Sequence, residues 1–507
     1  MKITKLLVAN RGEIAVRVFR TCRALGIKTV AVYSDADRHS IHVSTADEAV
    51  HIGGSLPSES YLRIEAIIDA CRQTGANAVH PGYGFLSERA ELSEALTEAG
   101  ILFLGPPAQA MRLLGGKIDA KKLAVENNVP ITPGFFEPGA TETQLKEAAE
   151  KIGYPIMLKA SAGGGGRGMR IVREPSSFES ECAIAKDEAL KGFGDDAMMV
   201  EKLVENPRHI EVQFVADQHG TVACLFEREC SIQRRHQKLI EEAPSAMTIG
   251  TNGLDWEGMR DATKRLVKAA GYSGAGTAEY MVDPITQEFY FLEVNARLQV
   301  EHPVTEAITG LDLVAVQIAI AEGEPLTFNK ALIEGDRSAI CGHSMEVRIV
   351  AEDPAAGFLP SIGKIIGWAE PRHPGIRFDT GFAIGSEVSR FYDSMIAKVV
   401  SHGSNREEAR RKLVAALRDF HVLGIKTNVG YLIEVLEDPE FIAKKIDTGF
   451  LGRRFDGWTP PSPPQELGAI ASCAKLNSNS NSNSSQPGTP ASSHRAWSLN
   501  DSWRNVR

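Results

Sequence analysis

Short apolar runs alternate with stretches of helical periodicity through the first hundred residues. Leu6-Leu7-Val8-Ala9 reads as a strand. Residues 13–25 carry apolar positions at helical spacing and stop at Gly26, a C-terminal helix signal. Residues 29–33 form a second apolar run. Leu62, Ile64, Ile67, Ile68 and Cys71 mark another helix, closed by Gly75, and Ala78-Val79-His80 reads as a third strand. This rhythm predicts a parallel sheet covered by helices. Ligands of such sheets sit beyond the carboxyl ends of the strands, where residues 10–13 and 80–88 would lie.

A second block, from about residue 116, carries most of the polar motifs. A third, ending near 451, has more strand-like segments and a helix whose start pairs Asn405 with Glu408 in a capping-box-like way. Ala409, Leu413, Ala416, Leu417 and Phe420 are that helix's apolar stripe. From about 459 the pattern is lost. Prolines at 460, 461, 463 and 464 precede an Asn/Ser alternation over 477–485. Such a stretch cannot bury enough apolar surface to offset its ordering entropy, so a disordered low-complexity tail is expected over 459–507. Trp497 and Trp503 near its end read as part of an inert tail or as a short docking motif.

Composition narrows the classes. The chain has 507 residues with Lys plus Arg 56 and Asp plus Glu 65, a net charge of −9. Nucleic-acid binding through a basic field is not expected. No apolar run approaches the ~20 residues of a membrane span, and Arg11 and Glu13 come too early for a signal-peptide core. The seven cysteines form no C-x-x-C pair, so free thiols in a reducing cytoplasm are expected.

Three segments carry chemistry. In residues 155–172, Gly163-Gly164-Gly165-Gly166-Arg167-Gly168 lies between two strand-like flanks. This predicts a β-hairpin whose N–H-rich tip approaches phosphate, with Lys159 at its base. In residues 288–302, strand alternation puts Tyr290, Leu292 and Val294 toward the core and Glu293 and Asn295 on the other face, with Arg297, Gln299 and Glu301 following in parity. Paired oxygen ligands suit Mg²⁺, and Glu279 on a neighbouring strand offers a third. Residues 228–238 are rich in Arg, His and Lys, and read as an exposed charged loop or as part of an anion site. Together the three segments describe an ATP- and Mg²⁺-dependent enzyme that activates a small anion.

Residues 1 to about 450 resemble the biotin carboxylase family of ATP-grasp ligases. The match rests on residues 9–15, the run from His80 to Glu88, the Lys159 to Met169 loop, the Arg228 to Lys238 run, the Glu293 to Pro303 run and Phe391-Tyr392-Asp393-Ser394-Met395-Ile396. The resemblance implies an α/β (α+β) fold. A Rossmann-like N-terminal domain would occupy 1–115, and an ATP-grasp domain 116–330 with a glycine-rich lid at about 131–204. A C-terminal biotin carboxylase domain would fill 331–451.

It also implies roles. Lys117, Lys159, Gly164, Gly165, Gly166, Gly168 and Met169 would hold the ATP phosphates. Glu201, Lys202 and Val204 would meet adenine, with His209, Gln233 and His236 nearby. Glu279 and Glu293 would bind Mg²⁺ or Mn²⁺, with Asn295 close by. Lys238, Arg297, Gln299 and Val300 would bind bicarbonate, Glu301 would be its general base, and Arg348 would stabilise the biotin enolate. The net −9 is then an acidic exterior around a basic centre of Lys117, Lys159, Lys238, Arg297 and Arg348.

Ala162 stands where bacterial members often carry another glycine, and Gly116 precedes Lys117 where Asp is frequent. No Ala-Met-Lys-Met-like tetrapeptide is present. A separate subunit is therefore expected, with the biotin carboxyl carrier protein and the carboxyltransferase as other chains, and with homodimerisation. Acetyl-CoA is the default final acceptor. Propionyl-CoA, methylcrotonyl-CoA or pyruvate would follow from a different carboxyltransferase. Competing readings are another ATP-grasp ligase and a non-catalytic nucleotide-binding scaffold.

Overall fold

The computed structural model describes residues 1–137, 139–161, 168–235, 237–247 and 253–461. The glycines at 164–166, His236 and the expected tail beyond 461 lie outside them.

The N-terminal strands β1 (Lys5–Val8), β2 (Lys28–Ser34), β3 (Glu48–Gly53), β4 (Ala78–His80) and β5 (Leu102–Phe103) form one parallel sheet in the order β3-β2-β1-β4-β5. Leu6, Leu7 and Val8 are all fully buried, as expected where helices cover both faces and alternation gives way to continuous apolar runs. Helix Gly12–Ala24 buries Ile14, Ala15, Val18, Phe19 and Cys22 against this sheet. Helix Ile64–Thr74 ends on Gly75 in the left-handed region. Leu62, expected on that helix, precedes it and is 43% exposed.

The two loops beyond β1 and β4 bind each other. The Asn10 amide donates to the Pro81 and Tyr83 carbonyls at 2.9 and 2.8 Å. Gly82 has φ +65°, and a Cβ there would lie 2.7 Å from Asn10 Nδ2. Only glycine permits this closure.

Strands β6 (Gly134–Phe135), β7 (Ile156–Ala160), β8 (Met169–Val172) and β9 (Met198–Lys202) form a four-stranded sheet in the order β6-β9-β7-β8. β7 and β8 pair antiparallel from Ile156↔Val172 to Lys159↔Met169, which is the predicted hairpin. Helices Glu142–Ile152 and Phe178–Phe193 cover one face through Leu145, Ala149, Leu158, Phe178 and Val200. By alternation, Met157, Lys159, Met199 and Glu201 turn to the other side, where a cavity lies.

The central sheet has eight strands. β10 (Arg208–Ala216), β11 (Val222–Arg234), β12 (Gln237–Ala243), β13 (Gly274–Val282), β14 (Phe289–Asn295) and β15 (His343–Val350) join Met395–Gly403 and Ile376–Thr380. The order is β14-β13-β10-β11-β12-β15, then Met395–Gly403, then Ile376–Thr380. Hydrogen bonding therefore continues without a break from the second sequence block into the third. Helix Arg406–Arg418 packs on this sheet with its predicted stripe fully or nearly buried. The Asn405 side chain accepts from Glu408 N–H at 3.0 Å, while the Glu408 carboxylate accepts from Ser404 N–H at 2.8 Å.

One register differs from the alternation reading. Glu279 pairs with Glu293 but Tyr280 pairs with Phe291, so Leu292 is an extra residue in β14. Phe289, Phe291 and Val294 therefore face the core. Leu292 lines the cavity, and Glu293 and Asn295 keep their predicted side.

His42 and His80 are fully buried. His80 Nδ1 accepts from Gly82 N–H at 2.9 Å, and His42 Nδ1 accepts from Gly12 N–H at 3.3 Å. Burial pushes both imidazoles down to about 4. The unfolded chain binds these protons near pH 6.5 and the native state does not, so stability falls as pH drops below that value. The expected slope is about 1.4 kcal/mol per pH unit for each histidine, down to roughly pH 4. Urea unfolding at pH 7, 6 and 5 measures it.

Candidate active site

Strands β7 to β15 and the segment after β14 line a cavity of about 630 Å³. Lys117, Lys159, Met169, Glu201, Val204, His209, Gln233 and Lys238 all reach it. So do Glu279, Glu293, Asn295, Arg297, Gln299, Val300, Glu301 and Arg348. Among the described residues, two predicted ones do not. Lys202 turns its ammonium to the Gly153 and Tyr154 carbonyls at 2.8 and 3.3 Å. Gly168 closes the base of the hairpin, its carbonyl accepting from Ala160 N–H at 2.9 Å.

Residues 228–234 are not an exposed loop. They lie in β11, an interior strand, and Arg228 is fully buried. Its guanidinium donates to Glu211 Oε1 at 2.5 Å, Gln213 Oε1 at 2.6 Å, Thr277 Oγ1 at 3.0 Å, Gln299 Oε1 at 2.9 Å and Thr305 Oγ1 at 3.0 Å. A planar five-donor group suits this fan of acceptors, and Lys would not. Glu211 Oε2 in turn accepts from Lys238. Lys238 also donates to Glu279 Oε1 at 2.8 Å and Glu301 Oε1 at 2.7 Å. Burial opposes the ammonium, but these three carboxylates hold Lys238 well above its ordinary value.

Glu301 is almost fully buried between two cations, with Oε1 on Lys238 and Oε2 accepting from Arg348 Nη2 at 3.0 Å. Despite burial, Lys238 and then Arg348 hold its carboxyl far below the usual range. Arg348 also donates from Nε to Glu241 Oε1 at 2.6 Å.

At the other end, Glu201 accepts from Lys121 and, at 2.6 Å, from Lys159. Against burial, these lysines bring the Glu201 carboxyl down to about 2. Arg297 lies 3.2 Å from Glu88 and donates to Asn295 Oδ1 at 3.0 Å. The expected basic centre is therefore a balanced one, because Lys159, Lys238, Arg297 and Arg348 each face a glutamate. The physical reason is burial: unpaired cations inside a cavity wall are costly, and carboxylates hold their place.

Glu279 and Glu293 stand opposite one another across β13 and β14. Glu279 is the better neutralised, by Lys238 and by His209 Nε2 at 3.1 Å. Among the described residues, no cation pairs with Glu293. Burial, then the charge of Glu279, pushes its carboxyl up. Two facing carboxylates, one without an ion-pair partner among the described residues and open to the cavity, fit a hard divalent cation such as Mg²⁺. Asn295 donates to Glu279 Oε1 at 2.8 Å and so borders that position.

Glu211, Lys121, Glu88 and Glu241 were not singled out from the sequence. For Glu211 a signal existed: His209, Glu211 and Gln213 alternate within an otherwise apolar strand. The other three are recognisable only once distant strands and loops meet.

Replacing Arg228 by Met leaves Glu211 and four polar partners buried without their donor. The expected loss is about 3–5 kcal/mol of unfolding free energy. Removing Arg418, exposed and paired with Glu437, should cost less than about 1 kcal/mol. Urea midpoints of the two variants measure the contrast.

Family models match most of the chain. They are the biotin carboxylase N-terminal domain over residues 2–111, the carbamoyl-phosphate synthase L chain ATP-binding domain over 116–329, and the biotin carboxylase C-terminal domain over 346–453. The chain is 48% identical over 449 residues to the mitochondrial propionyl-CoA carboxylase alpha chain of Sus scrofa, covering 88% of this chain and 60% of that one. It is 47% identical over 453 residues to the mitochondrial methylcrotonoyl-CoA carboxylase subunit alpha of Rattus norvegicus, covering 89% and 62%. The chain thus spans about three fifths of these relatives' length. Among solved structures, the biotin carboxylase of Campylobacter jejuni in complex with β-γ-ATP is 42% identical with a TM-score of 0.84, covering 89% of this chain and 99% of that one. The biotin carboxylase domain dimer of Hydrogenobacter thermophilus 2-oxoglutarate carboxylase, with Mg-ADP, ADP and bicarbonate, is 41% identical with a TM-score of 0.86, covering 91% and 100%. With near-complete coverage of solved members and a cavity that brings the motif residues together, the chain belongs to the biotin carboxylase family, ATP-dependent ligases of the ATP-grasp type that work with Mg²⁺, bicarbonate and biotin.

Proposed function

We propose that this chain performs the first half-reaction of an acyl-CoA carboxylase, the carboxylation of biotin on a carrier protein by bicarbonate and ATP. The observation that carries the reading is Glu301, held as a carboxylate between Lys238 and Arg348 in the cavity that also holds Lys117, Lys159, Glu279 and Glu293.

Lys238, Arg297 and Gln299 form the bed for bicarbonate. Its negative charge competes with Glu301 for Lys238 and Arg348. As those contacts are shared, the Glu301 carboxylate becomes more basic and takes the bicarbonate proton. Lys117 and Lys159 offset charge on the ATP phosphates, and Lys121 keeps Glu201 neutralised as Lys159 turns to them. Glu279 and Glu293 would hold Mg²⁺, which supplies charge neutralisation at the phosphates. The deprotonated bicarbonate oxygen attacks the γ-phosphorus as the bond to ADP breaks, giving carboxyphosphate. This decomposes to CO₂ and phosphate. Phosphate takes the ureido proton of biotin, and the ureido nitrogen adds to CO₂. Arg348 offsets the charge on the ureido oxygen.

The relatives named for propionyl-CoA and methylcrotonoyl-CoA support an acyl-CoA as the final acceptor, selected by a carboxyltransferase. A biotin carboxyl carrier protein is the second partner, and the dimeric Hydrogenobacter domain supports a homodimer. The six cysteines within the described residues are free thiols, which supports a reducing compartment, the cytoplasm in this reading.

Purified protein with Mg²⁺ should cleave ATP in a bicarbonate-dependent reaction that free biotin stimulates. Absence of biotin stimulation in folded, nucleotide-binding protein would overturn the reading. Glu301→Gln should bind ATP as the parent does and lose turnover by about 10²–10⁴-fold. Retained turnover would remove Glu301 as the base.

A further inference from the structure

Behind Arg348, away from the cavity, lies a pair of acidic residues that the mechanism above does not use. Glu241 on β12 and Glu346 on β15 are direct Cα partners in an antiparallel pair. Opposite residues of such a pair project to the same face, with Cβ atoms about 4.5–5.5 Å apart. Both side chains are fully buried. Glu241 Oε1 accepts from Arg348. Glu241 Oε2 and both carboxyl oxygens of Glu346 have no hydrogen-bond partner among the described residues. Two fully ionised glutamates would be poor tenants here, since burying a charge is costly unless it is paired and hydrogen-bonded.

The charges facing the pair do not call for two more anions. Lys238 is matched by Glu211, Glu279 and Glu301, and Arg348 by Glu301 and Glu241. Lys398, the cation that acts most strongly on Glu346, lies 3.1 Å from Glu13 and donates to the Val300 carbonyl at 2.8 Å. Asp379 and Arg377 also act on Lys398, and they pair with each other at 2.7 Å.

We propose that Glu241 and Glu346 share one proton, with Glu346 a neutral carboxylic acid and Glu241 a carboxylate, and that this pair is the positioning device for Arg348. The Glu346 hydroxyl donates to Glu241 Oε2. That bond fixes the plane of the Glu241 carboxylate, whose other oxygen holds Arg348 Nε. With Nε held, Nη2 is aimed at Glu301 and into the cavity. Loss of the proton adds a second buried anion behind Arg348 and draws the guanidinium back from the reacting groups. Burial first, and for Glu346 the charge of Glu241, works in the same direction: Glu241 is pushed up to about 7 and Glu346 well above its ordinary value.

The inference rests on the proposed function for its kinetic arm only. Glu346→Gln keeps the shape and a hydrogen-bond donor but cannot lose a proton. Infrared difference spectra of the full chain at neutral pH should show the carbonyl stretch of a protonated carboxylic acid in the parent and its loss in Glu346→Gln. In kinetics, Glu346→Gln should retain biotin-stimulated ATP cleavage within about threefold at pH 7, and its alkaline decline in kcat/KM for biotin should move to higher pH or vanish. Glu241→Gln, which weakens the hold on Arg348, should raise KM for biotin about tenfold while nucleotide binding stays unchanged. A parent spectrum without the acid band, or a Glu346→Gln profile that superimposes on the parent's alkaline limb, overturns the proposal. Absence of biotin stimulation in the parent defeats the functional reading instead, and the infrared arm still decides the protonation state.

Discussion

The site depends on one buried charge chain, Arg228 to Glu211 to Lys238. Arg228 has no route to solvent, and its donors are spread over residues from β10, β13 and the segment that follows β14. Glu211 passes that fixed position to Lys238, and Lys238 meets Glu279, one of the two facing carboxylates, and Glu301. Each link is expensive to bury alone and stable only with the next in place. Desolvation therefore sets the geometry: a displaced Lys238 would strand Glu211, and a displaced Glu211 would strand Arg228.

The same balance explains how a pocket for anions can exist in an acidic chain. Without substrate, glutamates occupy the cations. In the proposed reaction, phosphates and bicarbonate would compete with these carboxylates for cations already in position. Glu293 is the exception, a carboxylate with no cation of its own among the described residues, and it marks where charge must come from outside.

Much of this was legible in the sequence, for local reasons. Strands β1, β2 and β4, the hairpin pairing around Lys159 and the stripe Ala409, Leu413, Ala416 and Leu417 depend on local periodicity, and the structure has them where expected, whereas β3 was not read from the sequence and Phe420 lies just past the helix. The cavity lining follows the motifs closely because alternation along β10, β12, β13 and β14 sends polar residues to one side. The reading failed where position depends on distant contacts. The extra residue at Leu292 arises from pairing with β13 and leaves no mark in its own segment. Residues 228–238 left an exposed loop and an anion site both open, because a charged residue is normally exposed and Arg228's partners come from as far along the chain as Thr305. Three of the balancing glutamates, Glu211, Glu88 and Glu241, were missed for the same reason, which made the centre look basic.

The unbroken central sheet has a mechanical consequence. Glu279, Glu211, Arg228, Lys238 and Arg348 come from five consecutive strands, β13, β10, β11, β12 and β15. Neighbouring strands are about 4.8 Å apart, so the backbones bearing Glu279 and Arg348 are separated by four such steps, roughly 19 Å. That spacing is a ruler made of main-chain hydrogen bonds. The ends that bear Glu279 and Arg348 cannot drift apart without breaking a ladder. In the proposed reaction, motion would be left to elements outside this sheet, such as the four-stranded sheet that carries Lys159, while the distance carboxyphosphate would have to cross stays constant.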